Sequence, residues 1–288
     1  MNNDCMFKNC FFRNNLKDYL YFCNMLKRKT IERTKKRFGS QVRAYDKYRS
    51  IPPEKVYKLL FSLIKKEGVI DVLDVGCGTG KSTEPLVRKN IKVVGCDHDV
   101  KMLDQAKKNA LSRNLDITYK KCEVENLPFK PNSFDIVVCF NAFHWFANRK
   151  TVKNIKRVLR PGGFLFIFWK QIGKEDVFLR KKIFSHFGLH RKYSSKFNII
   201  TSKECISLLR KYGFKRTKHL FKKEYSSYDL EKAIGRLKTI GGYFRLNKKQ
   251  KKEFEEIAKR VFENHLTRKK RIRFLSTIHI CYGYKPDS

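Results

Sequence analysis

Four short polar stretches of this chain carry residue types that can do chemistry: Asp74 to Gly80, Asp97, Cys122 to Glu125, and Asn141 to Phe146. The first reads Asp74-Val75-Gly76-Cys77-Gly78-Thr79-Gly80 and continues as Lys81-Ser82-Thr83. Glycines this dense let something approach the backbone closely. Gly80-Lys81-Ser82 looks like the end of a phosphate-binding loop, but that loop needs a glycine five residues before Gly80. Val75 stands there, and Gly76 is one residue too close. The dinucleotide pattern G-x-G-x-x-G also fails, because Gly76, Gly78 and Gly80 fall on every second residue. A third option is another adenosine-bearing cofactor. Asp97 lies about twenty residues past the loop, the spacing at which an acid accepts the hydroxyls of a ribose.

Each stretch follows an apolar run. The runs Val69–Val75, Ile91–Cys96, Ile117–Lys121, Ser133–Phe140 and Phe164–Trp169 read as strands, and the strongest of them are apolar on both faces. Between them lie helical patterns: one to about Lys89 after the glycine loop, then roughly Asp99–Ser112 and Asn148–Leu159. Ahead of them, Pro52-Pro53 opens a helix with Val56, Leu59, Leu60 and Leu63 on one face. Strands apolar on both faces and separated by helices predict a doubly wound, mostly parallel α/β sheet. Lys215–Tyr225 and the alternation of Ile278, Ile280 and Tyr282 add two strands, making seven. The spans from about Gly173 to Ile200 and Ser226 to Arg268 are expected to cover the site as helices. In such sheets ligands sit outside the carboxyl ends of the strands, where the four polar stretches fall.

The composition sets limits. A chain of 288 residues with 41% hydrophobic residues can build a sizeable core. No uninterrupted apolar run approaches the ~18 residues of a membrane span, and Met1 to Met25 lacks the apolar stretch of a secretory signal. Met25 is a candidate internal start. The nine cysteines form no Cys-x-x-Cys pair. Cys77, Cys96 and Cys139 read as small buried thiols, so a reducing, cytoplasmic home is expected. Cys5, Cys10 and Cys23 match no common zinc spacing, and no metal is expected.

Lys and Arg number 66 against 27 acids, a formal charge of +39. Lys27–Arg49 and Asn247–Arg273 are especially basic. Such a field attracts polyanions and small anions. Nonspecific nucleic-acid binding is therefore expected, beside the plainer reading of a solvated basic surface.

The four stretches together resemble the motif series of the class I S-adenosylmethionine-dependent methyltransferases. "VLDVGCGTG", "VVGCDHDVKML", "ENLPFKPNSFDIVVC" and "VKNIKRVLRPGG" occur in that family's order. The resemblance covers Ile51 to about Lys170 well and the remainder more weakly. It implies S-adenosyl-L-methionine as cofactor, with Gly76, Cys77, Gly78 and Gly80 near its methionine part. It also implies Asp97 at the ribose, with His98 beside it, and Met102 by the adenine. Glu123 stands where relatives hold an aspartate near the adenine amino group; its longer side chain leaves the Val124 backbone as the alternative. Asp74 either orients the loop through its amides or receives the cofactor's ammonium. Lys81 is expected to face solvent, since this cofactor has no phosphate.

"FNAFHWF" resembles a small-molecule branch that includes the trans-aconitate methyltransferases, and it lacks the prolines of adenine-N6 enzymes. Asn141 is placed at the cofactor and His144 is the candidate general base, with a packed histidine as the rival role. Trp145 and Phe146 read as wall. Tyr45, Tyr48 and Arg49 form a candidate lid, in which Arg49 binds the methionine carboxylate. The domain expectation is a basic extension or lid over 1–50 and a methyltransferase domain over 51–288, with a cofactor core at 51–170 and a cover at 171–288. The expected activity is methyl transfer to a small molecule, a carboxylate or other anion. An RNA methyltransferase is the first alternative, and a non-catalytic nucleic-acid-binding protein retaining the fold is the second.

Overall fold

The computed structural model describes residues 41–189 and 200–287. Cys5, Cys10, Cys23, Met25 and most of the basic N-terminal segment lie outside the described residues, as does the end of the first covering span. In chain order the elements are α1 (Val42–Tyr48), α2 (Glu54–Ser62), β1 (Ile70–Val75), β2 (Ile91–Asp97), α3 (Val100–Ser112) and β3 (Ile117–Lys121). Then come β4 (Phe134–Phe140), α4 (Arg149–Val158), β5 (Leu159–Ile172), α5 (Lys174–Ser185), α6 (Ser202–Lys211) and β6 (Lys215–Tyr228). Last are α7 (Leu230–Leu237), α8 (Lys248–Glu263) and β7 (Ile272–Tyr284).

The seven strands form one sheet in the order β3-β2-β1-β4-β5-β7-β6. β1 to β5 pair in parallel, and β7 runs antiparallel to both β5 and β6. The order reverses between β1 and β4, which puts the topological switch point at the ends of those two strands. β4 is buried at every residue, as a central strand covered on both faces must be. One face packs Val152, Ile155, Leu209 and Phe214 against the sheet, and the other packs Val56, Tyr57, Leu60 and Leu86. α5, α7 and α8 meet the first half of β7 in a third cluster built on Ile183, Phe184, Phe254 and Phe262.

Local chemistry explains the helix starts. Asp99 caps α3 by accepting from the Lys101 and Met102 amides, and Asn148 caps α4 through the Thr151 amide. Thr201 with Glu204 and Asn247 with Gln250 form reciprocal capping boxes on α6 and α8.

Three expectations change. The helix expected after the glycine loop is only a short 3₁₀ turn, Glu84–Leu86. Pro85 lacks the amide proton that a continuing helix would use, the chain becomes extended at Val87, and it turns into β2 by pairing Arg88 with Ile91. Cys96 is not a free thiol. It is bonded to Cys122, because β2 and β3 run side by side and leave the two Cα atoms 5.8 Å apart. Lys81 does not face solvent: it is half-buried and donates to the Asp46 carbonyl of α1. No described helix is long and apolar enough to cross a membrane.

Candidate active site

The loop after β1 is held by backbone atoms and one carboxylate. The Gly76 and Cys77 amides donate to the Cys96 carbonyl at 2.8 and 3.1 Å. The Gly78 amide donates to Asp97 Oδ2 at 2.9 Å, while Asp97 Oδ1 accepts from the Asp99 amide and lies 3.0 Å from His98 Nδ1. Asp97 therefore joins the end of β2 to the loop after β1. Of the two roles expected for Asp74, the loop amides are not its partners: its Oδ2 accepts from the Thr83 hydroxyl at 2.6 Å. Its Oδ1 is buried without a hydrogen-bond partner. Burial is the main reason the Asp74 carboxyl is pushed up to about 7.

Two adjoining cavities open at the switch point. The larger is lined by Gly76 and Gly78, by Asp97, His98, Asp99 and Met102 from β2 and α3, and by Cys122 to Glu125 after β3. Phe140, Asn141, Ala142, Trp145 and Phe146 form the β4 side, and Tyr45 and Arg49 close the top. The smaller shares Tyr45, Arg49, Gly76, Phe140 and Asn141, and reaches Asp74, Cys77, Thr79, Lys81 and Ser82. The four stretches singled out in the sequence thus converge on one place.

Gly78 sits at φ +57°, and a Cβ there would meet nothing nearer than the Tyr45 ring at 3.8 Å. Any side chain would project into the space between the loop and Tyr45. Gly80 works differently. A Cβ on it would overlap the Tyr119 hydroxyl and lie 3.0 Å from Tyr119 Cζ, and Gly80 lines neither cavity. It lets β3 pack under the loop.

Asn141 also adopts a positive φ, 55°, a conformation that asparagine tolerates better than most residues. Its amide donates to the Phe168 carbonyl at 2.7 Å, and its Oδ1 accepts from the Lys170 amide at 3.0 Å. That leaves its side-chain NH₂ for the cavity. Arg49 stacks 5.5 Å from the Tyr45 ring and makes no ion pair among the described residues.

His144 lines neither cavity. Its ring packs 4.9 Å from the ring of Trp145, which does. Burial first, and then the Arg49 charge, lower its pKa to about 4. This differs from the near-neutral base expected from sequence. Tyr45, from the candidate lid, and Cys122 and Glu125, from the stretch after β3, are wall residues as well; Asp99 was missed, because in the sequence it reads only as the start of a helix.

A family model described as a methyltransferase domain matches residues 73–167. An uncharacterized methyltransferase of Mycobacterium tuberculosis is 38% identical over 133 residues, covering 46% of this chain and 51% of that protein. A mouse protein named probable tRNA methyltransferase 9B is 30% identical over 117 residues, 39% of this chain and 24% of that protein. The chain spans about half the length of the curated relatives it matches first. A crystal structure of a putative methyltransferase from Bacillus halodurans superposes with a TM-score of 0.54 at 20% identity, covering 81% of this chain and all of that one.

Residues 73–167 thus match a methyltransferase domain and lie on a Rossmann-like seven-stranded sheet, and S-adenosylmethionine is the cofactor that this match implies. The cavity fits that molecule in two respects. The space beside Gly78 is one that a Cβ would fill. Asp74, whose Oδ1 is buried without a partner, is among the residues around the smaller cavity, an acid of the kind an ammonium group calls for.

Proposed function

We propose that the protein transfers the methyl group of S-adenosylmethionine to the carboxylate of a small organic acid. The cofactor supplies a methyl group on a positively charged sulfur. Asp97 would accept the ribose hydroxyls with the lone pairs its two amide bonds leave open, while Met102 and Val124 would pack the adenine. The Gly76 and Gly78 backbone would border the methionine part. Asp74 would take its ammonium and Arg49 its carboxylate.

The observation that carries the acceptor class is that, among the described residues, no suitable base lines the β4 side of the cavity. Asn141, Trp145 and Phe146 line that side beneath Arg49, and every described carboxylate of the larger cavity belongs to the ends of β2 and β3. His144 is off the wall and holds a proton too weakly to suit general-base work at neutral pH. A carboxylate gives up no proton when methylated. The carbon–sulfur bond breaks with its electron pair going to sulfur, an oxygen–carbon bond forms, and no base need stand beside it. The chain's contribution is then positioning and exclusion of water.

The test is transfer of labelled methyl from the cofactor into a panel of mono-, di- and tricarboxylic acids, followed by alkali. Alkali-labile label, released as methanol, is the expected result. Alkali-stable label, in an amine or a carbon acid, would overturn the carboxylate acceptor.

A nucleic-acid acceptor is the second reading. The charge of +39 and the name of the mouse relative favour it. Label that becomes soluble after ribonuclease digestion of the methylated fraction would promote it.

A further inference from the structure

Far from the cofactor cavity, β6 is the edge strand of the sheet, three places beyond β4. An edge strand this long commonly carries charge to discourage pairing, and this one does. Lys215, Arg216, Lys218, Lys222 and Lys223 are all exposed. It also carries what an edge avoids. Phe221 is 66% exposed, Tyr225 59% and Leu220 40%.

Phe221 does not stand alone. It ends a row of rings that cross three strands on one face of the sheet. Trp169 of β5 stacks on His279 of β7 at 5.0 Å and 9°. His279 lies edge to edge and nearly coplanar with His219 of β6, ring centres 5.3 Å apart at 11°, and His219 is followed by Phe221 at 5.7 Å and 17°. The row is held upright from inside: Trp169 is buried, His219 Nε2 lies 3.1 Å from His279 Nδ1, and His279 Nε2 lies 3.0 Å from Gln171 Oε1. Burial lowers the pKa of both histidines, so they stand in the row as neutral rings. At its outer end the row stops, because no strand among the described residues lies beyond β6.

Strand alternation puts Lys223, Tyr225 and Arg273 on the face of Phe221. Arg273 lies 4.5 Å over the Tyr225 ring. Glu224, the acid of β6, faces the other way and is bound by Lys55 and Lys170. The face that shows the open stack is thus free of carboxylates on β5, β6 and β7 and carries the cations Lys223 and Arg273 beside the stack. A second copy of this chain, itself at +39, would be repelled from it.

We propose that this face binds single-stranded RNA, with a base stacking on the outer side of Phe221 and a second near Tyr225, and with phosphates held by Lys223 and Arg273. Base–aromatic stacking is tolerant of sequence and, unlike phosphate contacts, is not weakened by salt. Gln171 and Thr277, on the same face, offer hydrogen bonds to a 2′-hydroxyl. The surface is separate from the cavity and would serve whichever acceptor is methylated.

The experiment uses the full chain and a fluorescein-labelled twelve-residue oligoadenylate RNA, titrated by anisotropy from low salt to about 0.3 M, where phosphate contacts alone have largely faded. Phe221→Ala should weaken binding about tenfold at every salt concentration, leaving the slope against log salt unchanged. Phe221→Trp should bind at least as well as the native protein. Lys223→Gln should instead reduce that slope by about one unit. Phe178→Ala, at an exposed phenylalanine of α5, should do nothing. Unchanged melting and unchanged S-adenosylhomocysteine binding show that each variant is folded, and keep this result apart from any failure of the methyl-transfer assay.

Three outcomes would overturn the proposal. Phe221→Ala could bind like the native protein. An abasic strand of equal length, or the DNA oligomer, could bind as tightly as the RNA. Or sedimentation could show a dimer that Phe221→Ala dissolves, which would make the face a self-association surface.

Discussion

The two halves of this molecule are built from different materials. At the ends of β1, β2 and β3 the contacts are mostly backbone: the Gly76 amide on the Cys96 carbonyl, the Gly78 amide on Asp97, the Cys122 amide on the Asp97 carbonyl. Over the β5–β7 half the contacts are side chains from distant segments. Tyr48 lies against Gly235, Lys47 and Tyr48 both reach Glu231, and Arg236 packs 4.2 Å over Tyr228 while leaning on Asp176. Backbone contacts demand particular residues at particular spacings, because only glycine fits where a ligand or carbonyl approaches. Side-chain contacts between helices can be met by many residue pairs. The first half should therefore be brittle to single substitutions and the second tolerant.

The sharpest break is at Gly78. Gly78→Val would fill the space beside Tyr45 and force a β-branched residue to positive φ. S-adenosylhomocysteine binding should vanish in calorimetry while the protein stays folded. Native protein that is folded and yet does not bind would sink the cofactor assignment itself. Asp97→Ala comes next. It removes both the candidate ribose contact and the partner of the Gly78 amide, and should cost about 1–3 kcal/mol of affinity, the scale of hydrogen bonds to a charged group.

Asp74 sharpens the comparison by pH. Its folded pKa, about 7, lies above the ordinary aspartate value of 3.8, so the native state holds the proton more tightly than the unfolded chain does. Without cofactor, the carboxyl favours the folded state below pH ~4, and that contribution is lost as pH rises toward 7. A bound ammonium should reverse the preference. Binding of S-adenosylhomocysteine at pH 6 should then release a proton, read from calorimetry in buffers of different ionisation heat, and Asp74→Asn should abolish the release. Equal heats in all buffers would place the ammonium elsewhere.

The cover offers the smallest effects. Gly235→Val should loosen α1 from α7, because a Cβ there overlaps the Tyr48 ring, and should raise the KM for cofactor more than it lowers kcat. Glu231→Gln should change little, since its pairing with Lys47 is fully solvated. His144→Gln should reduce turnover only modestly, through a looser Trp145. With its pKa near 4, His144 would place no break in the rate profile at pH 6–7. A steep loss in that mutant, with an unchanged melting temperature, would restore His144 as a base.

What the sequence by itself determined is the part fixed by local rules. Apolar runs of strand length alternating with helical stripes gave the seven-stranded sheet, and the glycine spacing with Asp97 gave the candidate cofactor site, since backbone geometry there constrains residue type. His144 shows the limit, because its neighbours made it look like a base while burial and Arg49 decide its proton affinity. The short turn in place of a helix at Glu84–Leu86 came from Pro85, a signal that was legible but outweighed by the expected pattern. The Cys96–Cys122 pair, the unpartnered oxygen of Asp74, the anchoring of Lys81 on Asp46 and the open ring stack ending at Phe221 belong to the tertiary structure alone. Each depends on how close the fold brings side chains far apart in sequence, and on how much water it leaves between them.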